Sequence, residues 1–110
     1  MKQNIKALPE ELRPREKLLL FGENALSDSE LLAILLQSGT KEKNVIDLAQ
    51  EVLIQSKGLM GLGEMTMSSL SEINGIGLSK ACTILSMVEL SRRLNSMGFT
   101  QKMKIRHPKE

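Results

Sequence analysis

The sequence predicts an all-α fold, a compact domain of five helices, on three observations. Aromatics make up 2% of the 110 residues, with no Trp and no Tyr, so the core has to be built from Leu, Ile and seven Met. Those residues favour helix over sheet. Apolar positions recur at three- and four-residue spacing between capping residues and glycines, the mark of one buried helical stripe after another. No sustained period-two alternation competes with them. Apolar residues at 41% and charged residues at 25% are ordinary globular values, and the length suits a single domain with a modest core.

Residues 1–13, with Pro9, read as a loose polar lead-in to a helical domain spanning 14–95. Pro14 suits the first turn of the first helix, where its missing N–H would be unpaired anyway. That helix runs through Glu16 and Leu20 and stops at Gly22. Ser27 and Glu30 form a capping box that starts the second helix. Leu31, Leu32, Ile34, Leu35 and Leu36 are apolar nearly all round, which predicts a buried helix. Ser38-Gly39-Thr40 ends it, with Gly39 as the left-handed stop. Asn44 caps the third helix, whose Val45, Ile46, Leu48, Ala49, Val52 and Leu53 form one stripe, and Gly58 ends it. Residues 59–64 read as a glycine-punctuated link. Thr66 caps a short fourth helix through Leu70 and Ile73. The fifth runs from about Leu78 to Asn95. Residues 96–110 read as a basic linker.

Composition excludes several chemistries. The chain has one His, His107, and one Cys, Cys82, so it cannot build a His/Cys zinc site by itself. A catalytic triad would need His107, which lies in a polar tail between Arg106 and Pro108. There is no phosphate-binding glycine loop of the Lys-Ser/Thr type. No catalytic residue is assigned, and no enzyme activity or cofactor is expected within this chain. The longest apolar run, residues 31–36, is far short of a membrane span. No signal-peptide pattern opens the chain, and a lone Cys accords with a cytoplasmic location. Cys82, among Ala81, Leu85 and Met87, reads as a small buried thiol. Met60, Met65 and Met67 read as gap fillers. The overall charge of +2 is unevenly placed: residues 75–110 carry +5 and residues 1–74 carry −3. A basic last third attracts phosphates.

The most informative segment is Leu70-Ser71-Glu72-Ile73-Asn74-Gly75-Ile76-Gly77-Leu78-Ser79-Lys80-Ala81. A short helix has to reverse into a longer one within about four residues. Gly75 and Gly77 are read as supplying backbone angles that side chains forbid. Ile76 fills the gap between the helices, Ala81 lets them approach, and Leu70 and Ile73 close the other side. Such a corner leaves free amides at the start of a helix, which is an anion site. A DNA phosphate fits it. The phosphate-binding residues are therefore predicted to be Asn74, Gly75, Ile76, Gly77, Ser79 and Lys80. They would read backbone and not base. With no Trp or Tyr to stack on single strands, duplex or junction DNA is the expected target. Residues 31–53, also helix–glycine turn–helix, form a fainter second hairpin without the Gly-apolar-Gly core. Arg92 and Arg93 suit the negative end of the fifth helix and lie too far from Lys80 to share one phosphate with it, about 18 Å along the axis.

The segment 70–81 resembles the helix-hairpin-helix motif of non-sequence-specific DNA-binding proteins, and the helical pattern is similar to domain 2 of RuvA. More specifically, four further blocks resemble the N-terminal domain of the bacterial RadC family: Pro14 to Leu19, Ala25 to Leu36, Ser38 to Thr40, and Glu89 to Leu94. That resemblance covers residues 8–95. It implies a DNA-repair role, and a C-terminal JAB1/MPN-type domain carrying a His-x-His and Asp zinc motif that these 110 residues lack. Zinc and any metallohydrolase activity are implied for that second domain alone, with DNA and the C-terminal domain as partners and no membrane. The alternative is a helical interaction or regulatory scaffold for that domain, without direct DNA contact.

Overall fold

The computed structural model describes residues 13–98. The lead-in before Arg13, the tail from Phe99 on and His107 lie outside these residues. Pro14 opens α1 (Pro14–Phe21) as its first-turn proline, and Gly22 closes it at φ +90°. A 3-10 turn, Glu23–Ala25, leads to Ser27, where the capping box forms as the sequence predicts. The Ser27 hydroxyl accepts from Glu30 N at 3.2 Å, and Ser27 N donates to Glu30 Oε1 at 2.8 Å. This starts α2 (Asp28–Leu36). Lys17 on α1 pairs with Glu30 at 3.2 Å, tying the first two helices together.

Asn44 caps α3 (Val45–Ser56) by accepting from Asp47 N at 2.8 Å. Thr66 and Ser69 cap α5 (Met67–Ser71) reciprocally. The last helix, α6 (Leu78–Ser96), is the longest. The described residues hold helices and turns and no strand, so the all-α expectation is met.

Several details differ from the sequence reading. The described residues form six α-helices and not five: the glycine-punctuated link contains a one-turn helix, α4 (Leu59–Leu62). Gly61 permits it, because a Cβ there would overlap the main-chain oxygen of Ser56. The stop after α2 is Gln37, at φ 73°, and not Gly39. Gly39 is instead needed for close approach, since a Cβ would overlap the carbonyl oxygen of Lys43. Helix α5 ends at Ser71, short of Ile73.

The core joins Leu32, Ala33 and Leu36 of α2 to Leu48, Ala49 and Val52 of α3. Leu62, Leu70, Ile73, Ile76, Ala81 and Ile84 complete it. Leu48, Leu62, Leu70 and Ile84 are essentially inaccessible. Each such side chain contributes about 1.5–3 kcal/mol on burial. Met65 and Met67 pack against this core as gap fillers, but Met60 does not, being 88% exposed on the outer side of α4. Cys82 is exposed and not buried, because α6 turns Ala81 inward and its neighbour outward. Helix α2 is not wholly buried either: Leu31 and Leu35 stay more than a third exposed.

Candidate nucleic-acid interface

Short helix α5 reverses into α6 through residues 72–77. Ile73 N donates to Leu70 O and Ile76 N donates to Ile73 O, each at 3.0 Å, so two successive tight turns make the corner. Ile76 is 3% exposed and Ala81 is fully buried, as the packing argument requires. Leu70 and Ile73 close the opposite side.

The two glycines do different work. Gly75 has φ +100°, and a Cβ there would sit 2.9 Å from Leu48 Cδ1 and 3.1 Å from Thr40 Cγ2. It is therefore required both for backbone angle and for contact with the α2–α3 hairpin. Gly77, the N-cap of α6, has φ −88° and ψ −169°, extended backbone open to any residue. A Cβ on Gly77 meets nothing within 4 Å. This corrects the reading that both glycines are conformationally necessary: Gly77 faces open space.

The first amide of α6 to donate within the chain is Ala81 N, to Gly77 O at 3.0 Å. Among the described residues, the amides of Leu78, Ser79 and Lys80 find no main-chain or side-chain acceptor. Leu78 and Ser79 are exposed and Lys80 is half-buried. Three N–H groups without an acceptor in the described chain thus stand in the first turn of α6, at the positive end of a helix. Asn74 is also exposed. Of the six sequence-predicted site residues, Asn74, Gly77 and Ser79 are exposed and Lys80 is half-buried. Gly75 and Ile76 build the corner, and the Ile76 amide is already used.

Sequence reasoning missed what stands beside the corner. Lys80 Nζ donates to Ser38 Oγ at 3.3 Å, reaching the loop after α2. In that loop Thr40 Oγ1 accepts from Glu42 N and Lys43 N, and Thr40 N donates to Lys43 O at 2.8 Å. The turn of the α2–α3 hairpin therefore lies against the turn of the α5–α6 hairpin. The only sequence signal was the faint helix–turn–helix pattern of residues 31–53. Arg92 and Arg93, at the far end of α6, both pair with Glu89, at 2.7 and 3.0 Å. Arg93 first, then Arg92, holds the Glu89 carboxyl below the usual glutamate range. Among the described residues, no group of three or more His, Cys, Asp or Glu could hold a metal ion. No helix among them is long and apolar enough to cross a membrane.

The chain that carries this hairpin corner is similar along most of its length to a set of bacterial proteins. The family model described as UPF0758 N-terminal matches residues 5–82. A UPF0758 protein of Geobacillus thermodenitrificans is 45% identical over 106 residues, covering 96% of this chain and 47% of the relative. One from Alkaliphilus oremlandii is 46% identical over 106 residues, covering 96% and 46%. One from Carboxydothermus hydrogenoformans is 44% identical over 108 residues, covering 98% and 48%. The chain belongs to the UPF0758 family, which corresponds to the RadC-type family. It spans about half the length of these relatives. No solved structure matches it.

Proposed function

We propose that this chain is a non-sequence-specific DNA-binding module, and that residues 70–81 act as a helix-hairpin-helix gripping backbone phosphate. The reading is carried by the three acceptor-free amides of Leu78, Ser79 and Lys80 at an unobstructed helix start. The Ser79 hydroxyl and the Lys80 ammonium add a further hydrogen bond and a charge to the same phosphate. Duplex or junction backbone is the target. In the full-length protein, the module holds DNA for a C-terminal JAB1/MPN-type zinc metallohydrolase domain in a DNA-repair role in the cytoplasm. The test is amide-shift NMR with a short duplex at two salt concentrations. Shifts concentrated on residues 74–81 that weaken steeply with salt support the reading. Shifts elsewhere, or none at low salt, overturn it.

A second reading, a helical scaffold without direct DNA contact, is favoured by a separate observation: α2 and α6 leave leucines exposed along one shared face.

A further inference from the structure

Helix α6 outruns the body that holds it. Its last fully buried residue is Ile84, yet it continues to Ser96, about three more turns. Along that stretch Met87, Leu90 and Leu94 recur at heptad spacing, as in a helix seam. Leu90 is 63% and Leu94 49% exposed. Together with Leu35 of α2, Cys82 and Ser86 they line an open apolar groove. The same groove accounts for the exposure of Leu35 on α2, a helix whose sequence is apolar nearly all round. A contiguous apolar channel of this kind marks an interaction surface.

We infer that this groove is the seat of the remainder of the protein, the part that follows the N-terminal region in proteins of this length. Two observations select that occupant. First, the match takes up 47% of a relative and the matching family model is N-terminal, so about half of such a protein lies outside the matched stretch. The described residues end two positions past α6, whose Leu94 lines the groove. Second, self-association through α6 is opposed by charge. Helix α6 carries Lys80, Arg92 and Arg93 against Glu89, a net +2. Two copies would bring like charges together at close range. An apolar face with an acidic rim complements the groove instead. Apart from Ser79 at its head, the groove shares no residue with the proposed phosphate site, so the two readings stand or fall separately.

The test compares the full-length protein with the 110-residue chain. Cys82 lies in the groove and is exposed, so a maleimide labels it readily in the shorter chain. In the full-length protein, labelling at Cys82, read by peptide mass, slows by roughly tenfold or more, as does amide exchange across residues 85–97. The double variant Leu90→Glu, Leu94→Glu restores fast labelling in the full-length protein while exchange across residues 68–76 is unchanged. The maleimide comparison needs no substitution and stands alone if that variant misfolds. Equal labelling and exchange in the two chains overturn the inference. So does protection in the 110-residue chain that rises with its concentration alongside a dimer mass in sedimentation, which assigns the groove to a second copy.

Discussion

Lys80 Nζ donates to Ser38 Oγ at 3.3 Å, joining the first turn of α6 to the loop after α2 across 42 positions of sequence. Both groups are at the surface, where such a bond contributes about 1 kcal/mol or less. The ammonium is therefore free to exchange this partner for a phosphate oxygen. Lys80→Glu is expected to shift the melting temperature by only a few degrees and to abolish duplex binding. The milder Lys80→Gln weakens binding across all sequences alike and lowers the slope of log affinity against log salt by about 1. Fluorescence anisotropy at several salt concentrations measures both. An unchanged slope removes Lys80 from the site.

Gly77 and Gly75 separate function from folding. Gly77→Val fills open space at an extended residue, so unfolding by urea is expected to move by about 1 kcal/mol, as for a change of N-cap. The same isopropyl group stands where a phosphate has to approach the α6 amides, so binding is lost. Gly75→Ala has the opposite profile. It strains a residue at φ +100° and drives a methyl into Leu48 and Thr40, costing about 1–3 kcal/mol. A Gly77→Val variant that binds normally places the ligand elsewhere.

The caps were legible because each is a local contract. Ser27 with Glu30, Asn44 with Asp47 N and Thr66 with Ser69 all form within three residues of themselves. The buried stripe of α3 and the corner residues Ile76 and Ala81 were legible through spacing. What sequence hid depends on distant partners. Gly39 and Gly61 look like chain breakers, yet their role is to let one backbone approach another. Cys82 looks buried on the apolar company it keeps, but α6 turns Ala81 inward and Cys82 outward. At the site, the Gly-Ile-Gly pattern located the corner. It could not show that one glycine packs inward and the other faces out, nor that Ser38 lies within reach of Lys80.

The close approach at Gly61 makes a prediction about stability alone. A Cβ there would lie far inside van der Waals distance of the Ser56 carbonyl, a main-chain atom that cannot rotate away. Ser56 is itself buried and its hydroxyl donates to Leu53 O and Gly58 O, each at 3.3 Å, fixing the end of α3. Gly61→Ala therefore has to displace α4 from α3 and uncover Leu62. The expected loss is about 3 kcal/mol or more by urea denaturation, the upper range for overpacking. A loss below about 1 kcal/mol shows that α4 can shift without cost. Lys57→Gly, at a positive φ of 66°, is the contrasting change and is expected to be neutral or slightly stabilising.

Glu30 gives the fold a pH dependence whose sign follows from its partners. The Ser27 main-chain N–H is the largest influence holding its carboxyl below the usual glutamate range, and Lys17 adds to the effect. In the unfolded chain neither partner is in place, so the folded pKa lies below the unfolded one. A group shifted this way stabilises the fold above its unfolded pKa. That contribution fades as pH falls through the window between the unfolded and folded values, just under the ordinary glutamate pKa. The carboxylate both closes the capping box of α2 and ties α1 to α2. Glu30→Gln keeps an amide oxygen able to accept from Ser27 N but removes the charge. Its stability deficit at pH 7 is expected to be about 1 kcal/mol, the scale of a capping interaction. That deficit shrinks toward zero as pH falls through the window, because the wild-type carboxyl is then neutral too. Urea denaturation of both proteins at a series of pH values measures the convergence. Parallel curves that never meet would mean that the carboxyl oxygen's geometry, and not its charge, holds the two helices together.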